Sequence, residues 1–438
     1  MTNMDRLIIT SDQKAFFSIK EVAQILSLSL KTIRRYIAAG ELQSILIGGV
    51  YRIPKPALEE FINSYNPQDF KAHTNKKSVI VHKNNEVQND FDPYKINWCD
   101  ISANWNTTTA HEYTFVDLFC GAGGLSKGLE MAGLNGLCGI DWFKEAGMTY
   151  RRNFKHPLIE GDIKTAEKKK EFYDTVRNAL KGKDLTIVAG GFPCQGFSMS
   201  GNRIIDDPRN SLYLEMLEIV KTLKPKYVLC ENVVGLRTML GGKVEQKILT
   251  DFENAGYKMN VTTLRAADYD VPQKRDRVIF IGNRIGAINY YPKPILSPDE
   301  YKTTASAISD LMNHPNDPAF NHEPTHHSKE MRLRLQAVPE GKSLYAKYSD
   351  SWKKCPWNEA SCTIKENHGG VNIHPKLPRV LTAREMARLQ SFPDDFIFEG
   401  KKTKQLVQIG NAVPPLLGKA IGLSIIQSIE EFEGKTKK

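Results

Sequence analysis

The sequence predicts an α/β protein in which a mostly parallel sheet is covered by helices on both faces, with a small helical module set ahead of it. Three observations carry this reading. From Phe115 onward, short apolar runs alternate with stretches of helical periodicity, the pattern of strands joined by crossover helices. Residues 17–65 hold their own cap and turn signals, and between the two parts the chain turns polar. The length of 438 residues exceeds one ordinary domain of roughly 100 to 200. With 41% hydrophobic and 25% charged residues, the chain is neither disordered nor collagen-like.

Residues 17–65 read as helix, helix, hairpin, helix. Ser18 and Glu21 have capping-box spacing, and Ile19, Val22, Ala23, Ile25 and Leu26 give the first helix an apolar face. Ser29 caps a second helix that carries Lys31, Arg34 and Arg35 and stops at Gly40. Gly48 and Gly49 divide two β-rich runs as a hairpin would, and Pro56 opens a third helix with Leu58, Phe61 and Ile62. Two tightly joined helices, the second basic, followed by a wing, spell a helix-turn-helix with Lys31, Arg34 and Arg35 toward DNA. The module resembles the winged excisionase and MerR-like DNA-binding domains. A linker is expected over residues 67–112, with Trp98 and Trp105 available to dock onto the sheet domain.

The strands expected next are FVDLF, GLCGID, LTIVAGGF, YVLCENV and VIFIG, with LEMLEIVKTL among the helices. FVDLFCGAGGLSKGLEMAG reads as strand, glycine-rich turn, helix; Gly121, Gly123 and Gly124 let a ligand approach the main chain, and Leu125 and Leu129 face the core. Asp141 comes twenty residues after Gly121 at the end of the next strand, where an acid accepts hydrogen bonds from ribose hydroxyls. This order fits a nucleoside-bearing cofactor. The turn lacks the third glycine of GxGxxG and the Lys-Ser/Thr of a P-loop, and a nicotinamide dinucleotide stays open on this feature alone.

Cys194 follows Gly190-Gly191-Phe192-Pro193 off a strand end, where open α/β sheets place their sites. Glycine, proline and glutamine around it favour an exposed, main-chain-lined turn that stabilises a thiolate. Glu231 and Asn232 close the following strand, and Gln273-Lys274-Arg275-Asp276-Arg277 directly precedes VIFIG.

Taken together, DLFCGAGG, GGFPCQGFS, ENV, QKRDR, RLQSFPDDF and QIGNAVPP, in this order from about Phe115 to Ile426, resemble the bacterial DNA (cytosine-5) methyltransferases. The resemblance implies a Rossmann-like, S-adenosyl-L-methionine-dependent catalytic domain with a smaller target-recognition domain. It makes Cys194 the nucleophile, Glu231 the acid at the cytosine edge, and Arg277, assisted by Arg275, a clamp on the flipped base. It places Phe119, Gly121, Gly123, Leu125, Asp141, Trp142, Asp162, Ile163, Pro193, Asn411 and Val413 around the cofactor. Asp141 stands where the family often has the longer glutamate. Related motifs serve an RNA-directed branch, but the helix-turn-helix and the separate recognition interval favour double-stranded DNA. A DNA-binding regulator with secondary methyltransferase activity is the remaining alternative, and intact Cys194, Glu231, Arg275 and Arg277 weigh against it.

The expected division is 1–66 for the module, 67–112 linker, 113–284 catalytic domain, 285–378 recognition region and 379–438 returning to the catalytic domain. In the recognition interval the strand-helix rhythm fails. Cys355, Cys362, His368 and His374 there match no common zinc spacing, so no metal is expected. Pro414-Pro415 opens a last helix whose Leu417, Ala420 and Ile421 pack on the sheet. The net charge of +10, from 60 basic and 50 acidic residues, suits a polyanionic partner. Seven cysteines without a CxxC point to reduced thiols, and the absence of an apolar run near 18 residues or of a secretory leader points to a cytoplasmic protein without a membrane segment. The resemblance further implies a catalytic monomer in a restriction-modification system with a cognate endonuclease.

Overall fold

The computed structural model describes residues 16–25, 30–38, 42–47, 50–64, 91–193, 211–345, 352–365 and 371–436. Its contacts separate residues 1–89 from residues 90–438. The first unit runs β1 (Phe16–Ser18), α1 (Ile19–Ile25), α2 (Leu30–Ala38), β2 (Ile45–Ile47), β3 (Val50–Pro54) and α3 (Lys55–Ser64). The capping box forms as the spacing predicts: the Ser18 N–H donates to Glu21 Oε2 at 2.8 Å and the Glu21 N–H to Ser18 Oγ at 3.3 Å. Ile47 pairs with Val50 across the expected hairpin, and β3 also pairs with β1, a strand too short to leave a period in the sequence. Val22, Ile33, Ile53, Leu58 and Phe61 form its core, with the Tyr36 and Phe61 rings edge to face at 4.9 Å. Ser29, Gly40, Gly48 and Gly49, and the side chains of Lys31, Arg34 and Arg35, lie outside the described residues.

The second unit is built on a seven-stranded sheet. Five of its strands are those expected from the sequence: β5 (Thr114–Leu118), β6 (Asn135–Asp141), β8 (Ile187–Gly190), β9 (Tyr227–Val233) and β11 (Asp276–Asn283); β7 (Leu158–Glu160) and β10 (Lys258–Arg265) complete it. Spatial order is β10-β11-β9-β8-β5-β6-β7, with β11 antiparallel to both neighbours and the other pairs parallel. β5 lies between β6 and β8, so the crossovers diverge on either side of it and open a crevice beyond its carboxyl end. β10 escapes a pattern reading because its Asn260 is buried, yet that amide donates to the carbonyls of Asp92, Pro93 and Lys95.

Those bonds correct the expected linker. β4 (Asn97–Cys99) pairs in parallel with β12 (Tyr290–Pro292), and Cys99 and Ile101 are buried. The short helix α4 (Ser102–Trp105) comes next, and Lys419 holds its ammonium over the Trp105 ring. The chain therefore packs with the second unit from about Asp92, not Tyr113, and β12 keeps the residues just after 285 with it as well. Single apolar residues scattered among polar ones carry this docking, which is why composition alone reads as linker.

The helix α5 (Gly124–Met131) leads out of the glycine turn and is crossed by the last helix (Pro415–Thr436) at close range. A Cβ at Gly128 would lie 2.3 Å from the Pro415 carbonyl. Leu417, Ala420 and Ile421 are fully buried, as expected. Contrary to the reading of run length, the stretch containing this helix is apolar and long enough to cross a membrane, but most of it is buried within the protein.

Around residues 372–389, irregular chain leads into a helix beside a buried polar cluster. Glu385 caps the helix Ala383–Leu389 through Thr382 and accepts two bonds from Arg379 at 2.7 and 2.6 Å. His374 Nδ1 accepts the amides of Lys376 and Leu377, each at 3.0 Å, so its hydrogen sits on Nε2, 3.7 Å from Glu385 Oε1. Burial pushes the His374 pKa down to about 4 from 6.5. Between these pH values the unfolded chain binds the proton and the folded one does not, so stability falls as pH drops through 6.5 toward 4, by on the order of 3 kcal/mol in full. Denaturant unfolding at pH 7 and pH 4.5 should show a smaller loss for His374→Asn than for wild type, and equal losses would acquit this histidine.

Candidate active site

The site residues gather at one edge of the sheet, beyond the carboxyl ends of β5 to β9. The antiparallel β11 brings its first residues to that edge. After β5 the chain turns sharply, with positive φ at Phe119 (57°), Gly121 (54°) and Gly123 (93°). Two of the glycines are packing requirements: a Cβ at Gly123 would lie 2.3 Å from the Phe154 ring, and one at Gly124 2.2 Å from the Val413 carbonyl. Gly121 differs, since a Cβ there meets nothing within 4 Å. Its open face is where a ligand can lie against the main chain. Beneath the turn, buried Asp117 accepts a 2.6 Å bond from Ser126, and burial raises its pKa to about 7.

Asp141 is pinned beside this opening. Its Oδ2 accepts the Gly121 N–H and its Oδ1 the Phe143 N–H, both at 2.8 Å. Burial raises its pKa, and these main-chain donors oppose the rise. Each oxygen keeps a lone pair for a further donor. The adjacent Trp142 is 74% exposed, a large flat apolar ring left in solvent at the mouth of the site. An open glycine, a pinned acid and a free indole fit a cofactor carrying a ribose and a base. Asp162 is exposed in the turn after β7, where it accepts the Lys164 N–H at 3.0 Å. Asn411 is exposed at the end of its helix. Leu125 and Ile163 point into the two hydrophobic cores instead, so any cofactor contact from them is through main chain. Val413 is likewise buried and reaches the turn through its carbonyl at Gly124.

If the cofactor is the S-adenosylmethionine that the sequence resemblance implies, Asp141→Ala is expected to weaken its binding by about 10- to 100-fold, since charge-assisted hydrogen bonds contribute roughly 1.5 to 3 kcal/mol. Calorimetry on the free protein measures this; an unchanged affinity would mean that Asp141 only holds the turn.

On the other side of β5, Gly191 leaves room for Glu231, whose Oε2 would stand 2.9 Å from a Cβ at that position. Glu231 Oε1 is 2.7 Å from Arg277 Nε, with both side chains nearly buried. Register explains the pairing: Ile279 lies opposite Glu231 and Arg277 opposite Val233, so the two charged residues share a face one diagonal apart. Asn232 donates to the Phe192 carbonyl at 2.9 Å and so fixes the start of the loop to exposed Pro193. Cys194, the next residue, lies outside the described residues.

Arg275, expected to assist Arg277, is engaged with main chain. It is buried and donates to the carbonyls of Ile364 (3.0 Å), Gly410 (3.1 Å) and Ala412 (3.1 Å). Burial, with Arg277 nearby, pulls its pKa well down. A guanidinium committed to three main-chain acceptors is a strut that sets where Arg277 begins its strand. Sequence reasoning also missed Gln273 and Gln390. Gln273 Nε2 donates to the Leu389 carbonyl and to Gln390 Oε1, and Gln390 Nε2 donates to the Ile409 carbonyl at 2.7 Å. Their signal was present as two glutamines inside the QKRDR and RLQSF motifs.

Residues 113–427 match the C-5 cytosine-specific DNA methylase family, and residues 16–66 match a helix-turn-helix domain. Among similar proteins, the type II methyltransferase M1.HphI of Haemophilus parahaemolyticus is 37% identical over 329 residues, covering 72% of this chain and 87% of its own length. M.Eco47II of Escherichia coli is 30% identical over 449 residues and covers 96% of this chain and 97% of itself. A crystal structure assigned as a DNA modification methyltransferase of an E. coli prophage superposes with a TM-score of 0.60 at 26% identity, covering 73% of this chain and all of that one. The Entamoeba histolytica methyltransferase EhMeth shares the fold, with a TM-score of 0.54 at 16% identity over 73% of this chain and 99% of its own.

Proposed function

Because the chain belongs to the C-5 cytosine-specific DNA methylase family and carries a helix-turn-helix domain, we propose that it methylates carbon 5 of a flipped-out cytosine in a specific double-stranded DNA sequence, as the modification enzyme of a restriction-modification system. The observation that carries this is Glu231, held by Arg277 at 2.7 Å at the same sheet edge as the Pro193 turn leading to Cys194. A base inside a duplex cannot reach such an edge, so the cytosine leaves the stack at a cost of a few kcal/mol. The Cys194 thiolate adds to ring carbon 6 and turns the ring into an enamine that is nucleophilic at carbon 5. Glu231 supports that addition by presenting a proton to ring nitrogen 3, and Arg277 fixes its carboxyl group in place. Phe119, the open main chain at Gly121, Asp141 and Trp142, with Asp162, Pro193 and Asn411 from neighbouring turns, would hold S-adenosylmethionine. When bound there, it supplies the methyl group for carbon 5. Loss of the carbon 5 proton then expels Cys194 and leaves 5-methylcytosine. Bisulfite sequencing of DNA from cells expressing the protein tests this reading and yields the target sequence; unmethylated DNA, or methyl groups found in RNA alone, would overturn it.

We further infer that the N-terminal module is a second DNA reader that represses the enzyme's own promoter. Support comes from its match to a helix-turn-helix domain and from its own hydrophobic core in a unit separate from the sheet. Binding by one such module is weak and salt-sensitive. Changing Arg34 and Arg35 to Ala should release promoter occupancy while methylation persists; unchanged repression would leave the module a packing element.

A further inference from the structure

Two cysteines that the proposed methylation does not use stand side by side in the recognition region. Cys355 Sγ and Cys362 Sγ are 3.6 Å apart, seven positions apart in the chain. Both ends of the intervening loop are fastened. Cys355 donates its N–H to the Ile373 carbonyl at 3.2 Å, and Ser361 exchanges main-chain bonds with Pro272 and Lys274 at 3.0 and 2.8 Å. Between them, the Trp357 N–H donates to Glu340 at 2.8 Å, the Trp357 and Glu359 carbonyls accept from Ala305 and Thr304, and the Glu359 carboxylate meets Lys274 at 2.7 Å. The loop thus holds the two sulfurs together in place of leaving them to diffuse, and the entropy of closing it is already spent.

The two sulfurs are unequal. Cys355 is wholly buried, whereas Cys362 is partly exposed and accepts a bond from Asn372 Nδ2 at 3.2 Å. The neighbouring Cys355 thiol, then the Lys353 ammonium and the Asn372 amide, outweigh burial and lower the Cys362 pKa, while the facing sulfur and then burial raise that of Cys355. Among the described residues, Cys99, Cys120, Cys138 and Cys230 are buried with no second cysteine bonded to them, and burial pushes each thiol up.

We propose that Cys355 and Cys362 form a reversible oxidation site that takes a small-molecule disulfide of the glutathione class as oxidant. Cys362 thiolate attacks one sulfur of the oxidant, forming a mixed disulfide and releasing one thiolate. Cys355 gives up its proton to solvent, attacks Cys362 Sγ and expels the second thiolate. The protein loses two electrons and two protons and gains an S–S bond, and the oxidant becomes two thiols. The bond closes two residues before Ile364, whose carbonyl holds Arg275 at 3.0 Å, so it braces the chain that supports the start of β11.

The test equilibrates full-length protein in glutathione buffers from fully reduced to fully oxidised, blocks remaining thiols with a maleimide and maps the peptides by mass spectrometry. The expected result is a Cys355–Cys362 peptide lighter by two hydrogens, reversed by dithiothreitol. Cys355→Ser should trap Cys362 as its glutathione mixed disulfide, and Cys362→Ser should leave Cys355 unmodified. A wild-type protein that shows only the mixed disulfide, keeps both thiols open to maleimide in oxidised buffer, or pairs Cys362 with any other cysteine would overturn the proposal. Mapping Cys194 in the same digest separates this outcome from oxidation of the proposed nucleophile.

Discussion

Cys194→Ser is expected to reduce methyl transfer to background, a loss on the order of 10⁴-fold or more, while cofactor affinity stays within about twofold. A serine hydroxyl is far less ionised than a thiol at neutral pH and cannot add to ring carbon 6 at a useful rate. The remaining cysteines offer no substitute. Cys99 and Cys138 have thiols pushed up to about 12 by burial, Cys230 is buried against the Met216 sulfur at 3.7 Å, and Cys355 and Cys362 face each other. DNA carrying 5-fluorocytosine at the target should trap the wild-type protein covalently, because the fluorine cannot leave as a proton does. A trapped adduct that maps to Cys230, or a serine variant that turns over normally, would remove Cys194 from the mechanism.

Where the chain is cut from its N-terminal side should matter sharply. A protein beginning at Asp90 is expected to methylate DNA as the full chain does, because the first unit has its own core and β4 is retained. One beginning at Thr108 loses Cys99, Ile101 and the Trp105 ring under Lys419, and exposes the edge of β12. Each fully buried apolar side chain contributes about 1.5 to 3 kcal/mol, so the loss is several kcal/mol of a total that is itself only about 5 to 15. Thermal melting of the two proteins, with methylation assays on whatever stays folded, decides the matter. Equal melting temperatures would show that residues 91–106 only decorate the surface.

The fold was legible where local pattern and tertiary role coincide. FVDLF, YVLCENV and VIFIG are strands because nearly every residue in them is buried, and the Ser18–Glu21 box forms because its partners are three residues apart. Position at the sheet edge was legible too, since parallel strands deliver Asp141, Pro193 and Glu231 to one end. What escaped the sequence depends on partners far along the chain. Arg275 looks like a catalytic cation beside Arg277, and only the carbonyls of residues 364, 410 and 412 reveal it as a strut. Residues 92–106 look like linker because the groups that bury them, Asn260, Tyr291 and Lys419, lie more than 150 positions away.

The crossing of α5 by the last helix has a consequence for synthesis. Gly128 and Gly418 meet at backbone distance, and the core between them lacks Leu417, Ile421 and Ile425 until residues 415–436 have been made. The ribosome must add 370 residues between positions 66 and 436, about 20 to 70 s of elongation at roughly 5 to 20 residues per second. Throughout that interval the N-terminal module can fold alone while the catalytic sheet still lacks its covering helix. A nascent chain can therefore hold DNA before it can modify it, and newly made protein passes through a stage in which reading precedes writing.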